Sequence, residues 1–378
     1  MARTGRWSYL DGIRAVAIGS VLALHWLSWY SPLFHGGSVG VDVFFVLSGF
    51  IITTMLWRQP LAGTTGAGWV AFVRRRVVRL YPALLGLAVG AVVLYAVVPT
   101  APLPAVEVAR RAGLALAQTS SVWAALQHGG LWVTHLHPFG QTWSLAVEWY
   151  FYLLWPLAVL GARRRGWQAR RLAFAAAAAA VVLYGGSLGL GTFWFYFGPS
   201  ARFGEILAGA ALALWFQARG VPTAPLRFST PASAAALAAI ACYALLGSDG
   251  DTALYRWVGV PVAVLATLVL IRNGYGDRGS PVSRLLGHPW LAAVGRHSYS
   301  LYLWHLLPLL LLRSATSIPK PVAGLLAVAA TVVLTVLSYR FLEQPFLRPR
   351  SDVLQPRRPL RPKTQDAPLG QRGDEVLS

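Results

Sequence analysis

Residues 10–26 read LDGIRAVAIGSVLALHW, and residues 36–57 read GGSVGVDVFFVLSGFIITTMLW. With their flanks, each is long enough at about 1.5 Å per residue to cross a hydrocarbon core about 30 Å thick. Yet the two segments carry Arg14, His25 and Asp42. Ionisable groups are costly inside a bilayer, so they are read first as a functional site. Arg14 and His25 are about three helical turns apart, within roughly 20° of one face and about 16 Å along the axis. If the hairpin tip lies at Phe34, His25 and Asp42 are nearly equidistant from it and are expected to oppose each other. One face of a membrane hairpin is thus expected to hold an arginine low down and a His–Asp pair higher up.

The remainder of the chain repeats the pattern. Hydrophobic residues are 56% and charged residues 12% of 378, against about 45–50% and about 25% in soluble domains. Apolar runs are expected to span at approximately 13–31, 38–57, 80–98, 143–161, 172–190, 201–217, 230–247, 256–272, 297–313 and 321–340. Lipid-embedded backbone must satisfy its own hydrogen bonds, so these are helices. The fold class expected is an all-α, polytopic membrane bundle of about ten helices.

A net charge of +20 suggests a nucleic-acid partner, but its distribution argues against one. With both termini cytoplasmic, all but six of the 33 Lys and Arg fall on the inner side; Arg110, Arg111, Arg202, Arg256, Arg313 and Lys320 are the exceptions. The positive-inside rule accounts for such a split. The expected location is the inner (plasma) membrane, in contact with its lipid. Cys242 is the one cysteine and lies in an expected span, which excludes an internal disulfide or a cysteine zinc cluster. Residues 1–348 are expected to form the membrane domain and 349–378, rich in Pro, Arg and Asp, a disordered cytoplasmic tail.

Several polar groups carry chemistry. A carboxylate beside an imidazole fixes its tautomer and stabilises its protonated form, so His25 with Asp42 has the parts of a general base for a hydroxyl acceptor. The plain alternatives are an interhelical polar contact for His25 and helix capping for Asp42. Arg14 and the arginines of a first inner loop, Arg74, Arg75, Arg76 and Arg79, form a candidate phosphate clamp, with topology alone as the alternative. An acyl-coenzyme A has phosphates at one end and its thioester on a long arm, which matches a basic mouth below a deeper base. Ser144, Glu148 and Tyr152 share a helix face, as do Tyr302 and His305. Arg202 and Glu205, three apart, are expected to pair as a structural salt bridge. His128, His135 and His137 lie on a loop without a nearby carboxylate, and no metal is expected.

Eight stretches occur in order: LDGIRAVA, LALHW, GGSVGVDVFFVLSGFIIT, RRRVVRLYPALL, QTWSLAVEWYFYLLWP, ARFGEILAGA, GRHSYSLYLWH and SYRFLEQPF. Together, from about Tyr9 to Phe346, they resemble the acyltransferase-3 family of integral membrane O-acyltransferases. That resemblance implies ten helices and transfer of an acyl group, acetyl by family frequency, from cytoplasmic acyl-CoA to a hydroxyl. Its R-x10-H pattern falls on Arg14 and His25, its GVD aspartate on Asp42, and its RxxR on Arg76 and Arg79. Glu148, Tyr302 and His305 stand where the family also keeps polar residues. Many relatives carry a C-terminal SGNH hydrolase-like domain. The chain is expected to act without one, or to hand the acyl group to a separate protein.

The function expected is an O-acyltransferase with His25 and Asp42 catalytic and with Arg14, Arg76 and Arg79 binding acyl-CoA. Its acceptor would be a carbohydrate, cell-envelope glycan or glycolipid, or alternatively a macrolide-type metabolite. From another class, a transporter or flippase would also line its path with intramembrane charge.

Overall fold

The computed structural model describes residues 5–28, 30–61, 63–127, 134–314 and 318–347. The tail from 349 and His128 lie outside these residues. The described residues form helices and no strands. The opening hairpin is α1 (Gly5–Leu27) and α2 (Val39–Arg58), followed by α3 (Thr65–Val97), α4 (Ala105–Leu116), α5 (Ser120–Leu126) and α6 (Thr142–Arg164). Then come α7 (Ala169–Ser187), α8 (Thr192–Phe197), α9 (Pro199–Arg219), α10 (Ser229–Leu246) and α11 (Val260–Gly276). The chain closes with α12 (Pro281–Leu286), α13 (Pro289–Arg296), α14 (Ser298–Trp304), α15 (Leu306–Ser314) and α16 (Lys320–Ser338).

Among the described residues, eight helices are long and apolar enough to cross a membrane. Outward-facing Val93, Val181, Leu265 and Leu325 are each more than half exposed, as a lipid-facing surface requires. The chain is a multi-pass membrane protein. Two of the ten expected spans differ for identifiable reasons. α9 has the length, at 21 residues, but Arg202 and Glu205 dilute its apolarity. The span expected at 297–313 is broken at His305 into α14 and α15. Pro308 has no N–H for the carbonyl of Trp304, and its ring crowds that carbonyl, so the ladder opens there.

α2 is apolar on nearly every face and correspondingly central, packed against α1, α6, α9 and α11. Small residues let the backbones meet. A Cβ on Gly49 would lie 1.8 Å from the Ile206 carbonyl oxygen, and one on Gly209 would lie 2.0 Å from that of Val46. These two glycines lock α2 onto α9. Across the hairpin, a Cβ on Gly40 would lie 2.2 Å from the Ala17 oxygen and one on Gly37 2.3 Å from that of Ser20.

α3 begins at Thr65, with Thr64 Oγ1 accepting from the Ala67 N–H, and runs 33 residues. At about 1.5 Å per residue it is about 50 Å long, more than a bilayer core needs. Arg74 to Arg79 therefore lie on a helix, not in the loop expected from the sequence. This fixes Arg76 and Arg79 three residues apart on one face.

Candidate active site

Between α1, α2, α3, α6 and α14 lies a cleft of about 770 Å³, counting its open mouth. From α2 it receives Val41, Phe44, Phe45, Ser48, Ile51 and Ile52, which recur at helical spacing and form one stripe of that helix. Facing them are three guanidinium-bearing side chains, Arg14, Arg76 and Arg79, and one carboxylate, Glu148.

Each is held in a distinct way. Arg14 donates from Nε and Nη2 to Ser298 Oγ at 3.1 and 2.9 Å, and lies 5.6 Å from the Phe44 ring centroid. Arg76 is buried between the Phe72 and Tyr152 rings, and its Nη2 meets Met55 Sδ at 3.3 Å. Its buried Nε has no partner, so a donor aimed into the protein is left for a ligand or water. Glu148 accepts from Ser48 Oγ at 2.5 Å and from Tyr152 OH at 2.6 Å. At the far end of the cleft Ser144 Oγ and Tyr302 OH lie 2.6 Å apart, and Tyr302 donates to the Gln141 carbonyl at 3.0 Å.

His25 does not line this cleft. Its Nδ1 lies 2.8 Å from the Val21 carbonyl. A carbonyl can only accept, so Nδ1 carries the proton and the neutral ring keeps its lone pair on Nε2. His305, fully buried at the α14–α15 break, repeats the arrangement with Nδ1 2.7 Å from the Tyr302 carbonyl. The two imidazoles meet edge to face with centroids 4.8 Å apart, and the Tyr302 ring is 5.7 Å from His305. His305 thus lies between His25 and Tyr302, which lines the cleft.

Asp42 is elsewhere, which corrects the expected His25–Asp42 pair. Gly40 packs on Ala17 and Gly37 on Ser20, so Asp42 is level with Ala15 of α1. That is about ten residues, or roughly 15 Å, short of His25. The turn folds back through a short 3-10 segment, His35–Ser38, and this shifts the hairpin register. The azimuth is also different, since Asp42 lies on the stripe of Val46 and Gly49 that meets α9. There Arg202 Nη1 donates to Asp42 Oδ1 at 2.7 Å and to Glu205 Oε1 at 2.6 Å. Tyr255 OH donates to the same Asp42 carboxylate, 2.8 Å from Oδ1 and 2.9 Å from Oδ2. All four residues are at most 1% exposed, and the Trp143, Phe195, Tyr196 and Tyr255 rings enclose the guanidinium. This ionic cluster ties α2 to α9 and to the π-helical turn Tyr255–Gly259. The Arg202–Glu205 pair itself is as expected.

Sequence reasoning missed Ser48, Ser298 and Tyr299 of the cleft, and Tyr255. Ser48 was readable in principle, at helical spacing from Val41, Phe44 and Phe45; the other three depend on tertiary placement. Among the described residues no group of His, Cys, Asp or Glu is arranged to hold a metal.

Comparison with known proteins accords with this architecture. The family profile described as "Acyltransferase domain", acyltransferase-3, matches residues 7–340. The chain belongs to this family of acyltransferases. It is 30% identical to "Peptidoglycan O-acetyltransferase OatA" of Listeria monocytogenes, over 91% of this chain and 57% of that protein. It is also 30% identical to "Putative peptidoglycan O-acetyltransferase YrhL" of Bacillus subtilis, over 89% of this chain and 54% of that protein. The chain therefore spans little more than half the length of these relatives. No solved structure matches it.

Proposed function

We propose that the protein is a plasma-membrane O-acetyltransferase that moves an acetyl group from an acyl-CoA thioester to a hydroxyl of a cell-envelope glycan. The observation that carries this is a cleft with three arginines and one carboxylate, beside whose wall residue Tyr302 stand two imidazoles, each with Nδ1 held by a backbone carbonyl. Guanidinium groups suit the donor's phosphates, and Arg76 and Arg79 on α3 would hold them. Arg14, midway along α1, would grip the arm beyond. His25 would take the proton of the acceptor hydroxyl, its ring oriented by the Val21 carbonyl instead of a carboxylate. Glycan is favoured as acceptor by the relatives' printed activity on peptidoglycan; no contact in the cleft favours a macrolide. The membrane domain would comprise residues 1–348, with the basic end of the bundle cytoplasmic by the positive-inside rule.

The test is release of free CoA and formation of acetylated product by purified protein given acetyl-CoA and peptidoglycan fragments, beside His25→Ala. Release that needs both the glycan and His25 supports the proposal. Equal release by the variant would remove His25 from the chemistry, and no release with measurable glycan transport would favour a carrier.

A further inference from the structure

Neither His25 nor His305 lines the cleft, whereas Tyr302 does, so a proton route from His25 to the cleft must run through the groups between them. His305 is one of these groups. Its ring touches His25 on one side and Tyr302, a wall of the cleft, on the other. His305 is fully buried, its Nδ1 is committed to the Tyr302 carbonyl, and its Nε2 has no partner. A buried polar atom without a partner is costly, so it calls for a function or a guest. Both rings present Nε2 as an acceptor, so no hydrogen bond joins them until a proton arrives. A single added proton is shared easily, while a second would put two like charges side by side. The other charged or titratable groups here are Arg313, whose Nη2 donates to the His25 carbonyl at 3.0 Å, and His137 on the 134–140 loop.

We propose that His305 is a second acid–base residue, forming with His25 a pair that carries one proton from the acceptor to the leaving group. This rests on the thioester-transfer proposal above. The acceptor O–H bond breaks and its proton goes to His25 Nε2. The acceptor oxygen bonds to the acyl carbon, and the carbon–sulfur bond breaks with its electron pair on sulfur. The proton passes to His305 and from it to sulfur, which leaves as a free thiol. Nothing is oxidised or reduced, and the pair ends as it began. The division gives each imidazole one reacting atom, with His25 on the acceptor side and His305 on the cleft side.

The experiment compares His305→Gln and His25→Ala with the wild type, using acetyl-CoA and p-nitrothiophenyl acetate as alternative donors. An aryl thiolate leaves without being protonated, so it bypasses His305 but not His25. Loss of one acid–base group typically lowers the rate about 10²–10⁴-fold. His305→Gln should show a loss of that order with acetyl-CoA, at unchanged donor KM, and recover to within about tenfold of wild type with the aryl thioester. His25→Ala should be equally impaired with both donors. Equal loss with both donors in His305→Gln, or a raised KM as its sole effect, would overturn the proposal. Should the aryl thioester fail as a donor or His305→Gln fail to fold, ¹⁵N-histidine NMR of the wild type decides. Coupled titration, with the second proton entering at much lower pH than the first, supports the pair, and two independent titrations overturn it. The NMR reading needs no substrate, so absence of thioester-dependent transfer in the wild type would remove the functional proposal while the pair is still tested.

Discussion

His25 and Asp42 show how differently two intramembrane ionisable residues can be used. His25 is oriented by a backbone carbonyl of its own helix, so its tautomer is set by one turn of α1 and survives changes elsewhere. His25→Ala is predicted to abolish transfer while leaving the melting temperature and membrane insertion of the purified protein near wild type. Asp42 belongs to a buried ion cluster, and removing one partner of such a cluster typically costs about 3–5 kcal/mol. Asp42→Ala should lower the melting temperature and the yield of folded protein, while whatever folds retains the donor KM. Wild-type stability in that variant would contradict the structural role. Contacts along one helix were legible from spacing alone: Arg202 with Glu205, Glu148 with Tyr152, and Tyr302 with His305. Contacts between helices were not. Placing Asp42 requires both the hairpin register and the azimuth of α2, and counting residues from a tip supplies neither.

The elements tell the same story one level up. Length and apolarity located nearly every spanning helix, because the bilayer imposes both. The break at His305 was readable only from Pro308, and the helical course of Arg74 to Arg79 was hidden because polar helix and polar loop have similar composition. Continuing α3 through that segment gives Arg79 a fixed position in the cleft wall. Arg79→Ala is predicted to raise the apparent KM for acyl-CoA severalfold with little change in kcat, read from initial rates against donor concentration. At the α2–α9 contact, Gly49→Val would drive a side chain into the Ile206 carbonyl. Overpacking of this kind costs about 1–3 kcal/mol or more, so thermal unfolding should shift well below wild type. The loop 134–140 carries a pH response. Burial, then Arg111 and His135, pushes His137 down to about 4, while the unfolded chain's histidine titrates near 6.5. The unfolded state thus binds more protons between these values. Stability from this site is complete above about pH 6.5 and is lost as the pH falls towards about 4. Melting temperatures from pH 7.5 to 4.5 should fall less steeply in His137→Gln than in wild type.

For the whole molecule, charge and hydropathy predict an orientation, and the structure shows what the cations that depart from that pattern do. Four cations expected on the far side are each engaged. Arg111 pairs with Glu107, Arg202 with Asp42 and Glu205, Arg256 donates to the Leu188 and Leu190 carbonyls, and Arg313 to that of His25. Those arginines hold the fold together on the face where topology would exclude them. Arg76 meets Met55 near the C-terminal end of α2, Arg14 and Tyr302 meet Phe44 nearer its start, and His305 and His25 follow in contact with Tyr302 and with each other. Such an order suits a reaction whose donor and acceptor arrive from opposite sides of a membrane. The most direct test is to reconstitute the protein in sealed vesicles with acetyl-CoA on the side of the basic end and peptidoglycan fragments on the other, and to measure acetyl ester on the glycan. Ester that appears in the glycan compartment and vanishes with His25→Ala is the predicted result. No ester there, under conditions in which the protein is folded and binds acetyl-CoA, would contradict it.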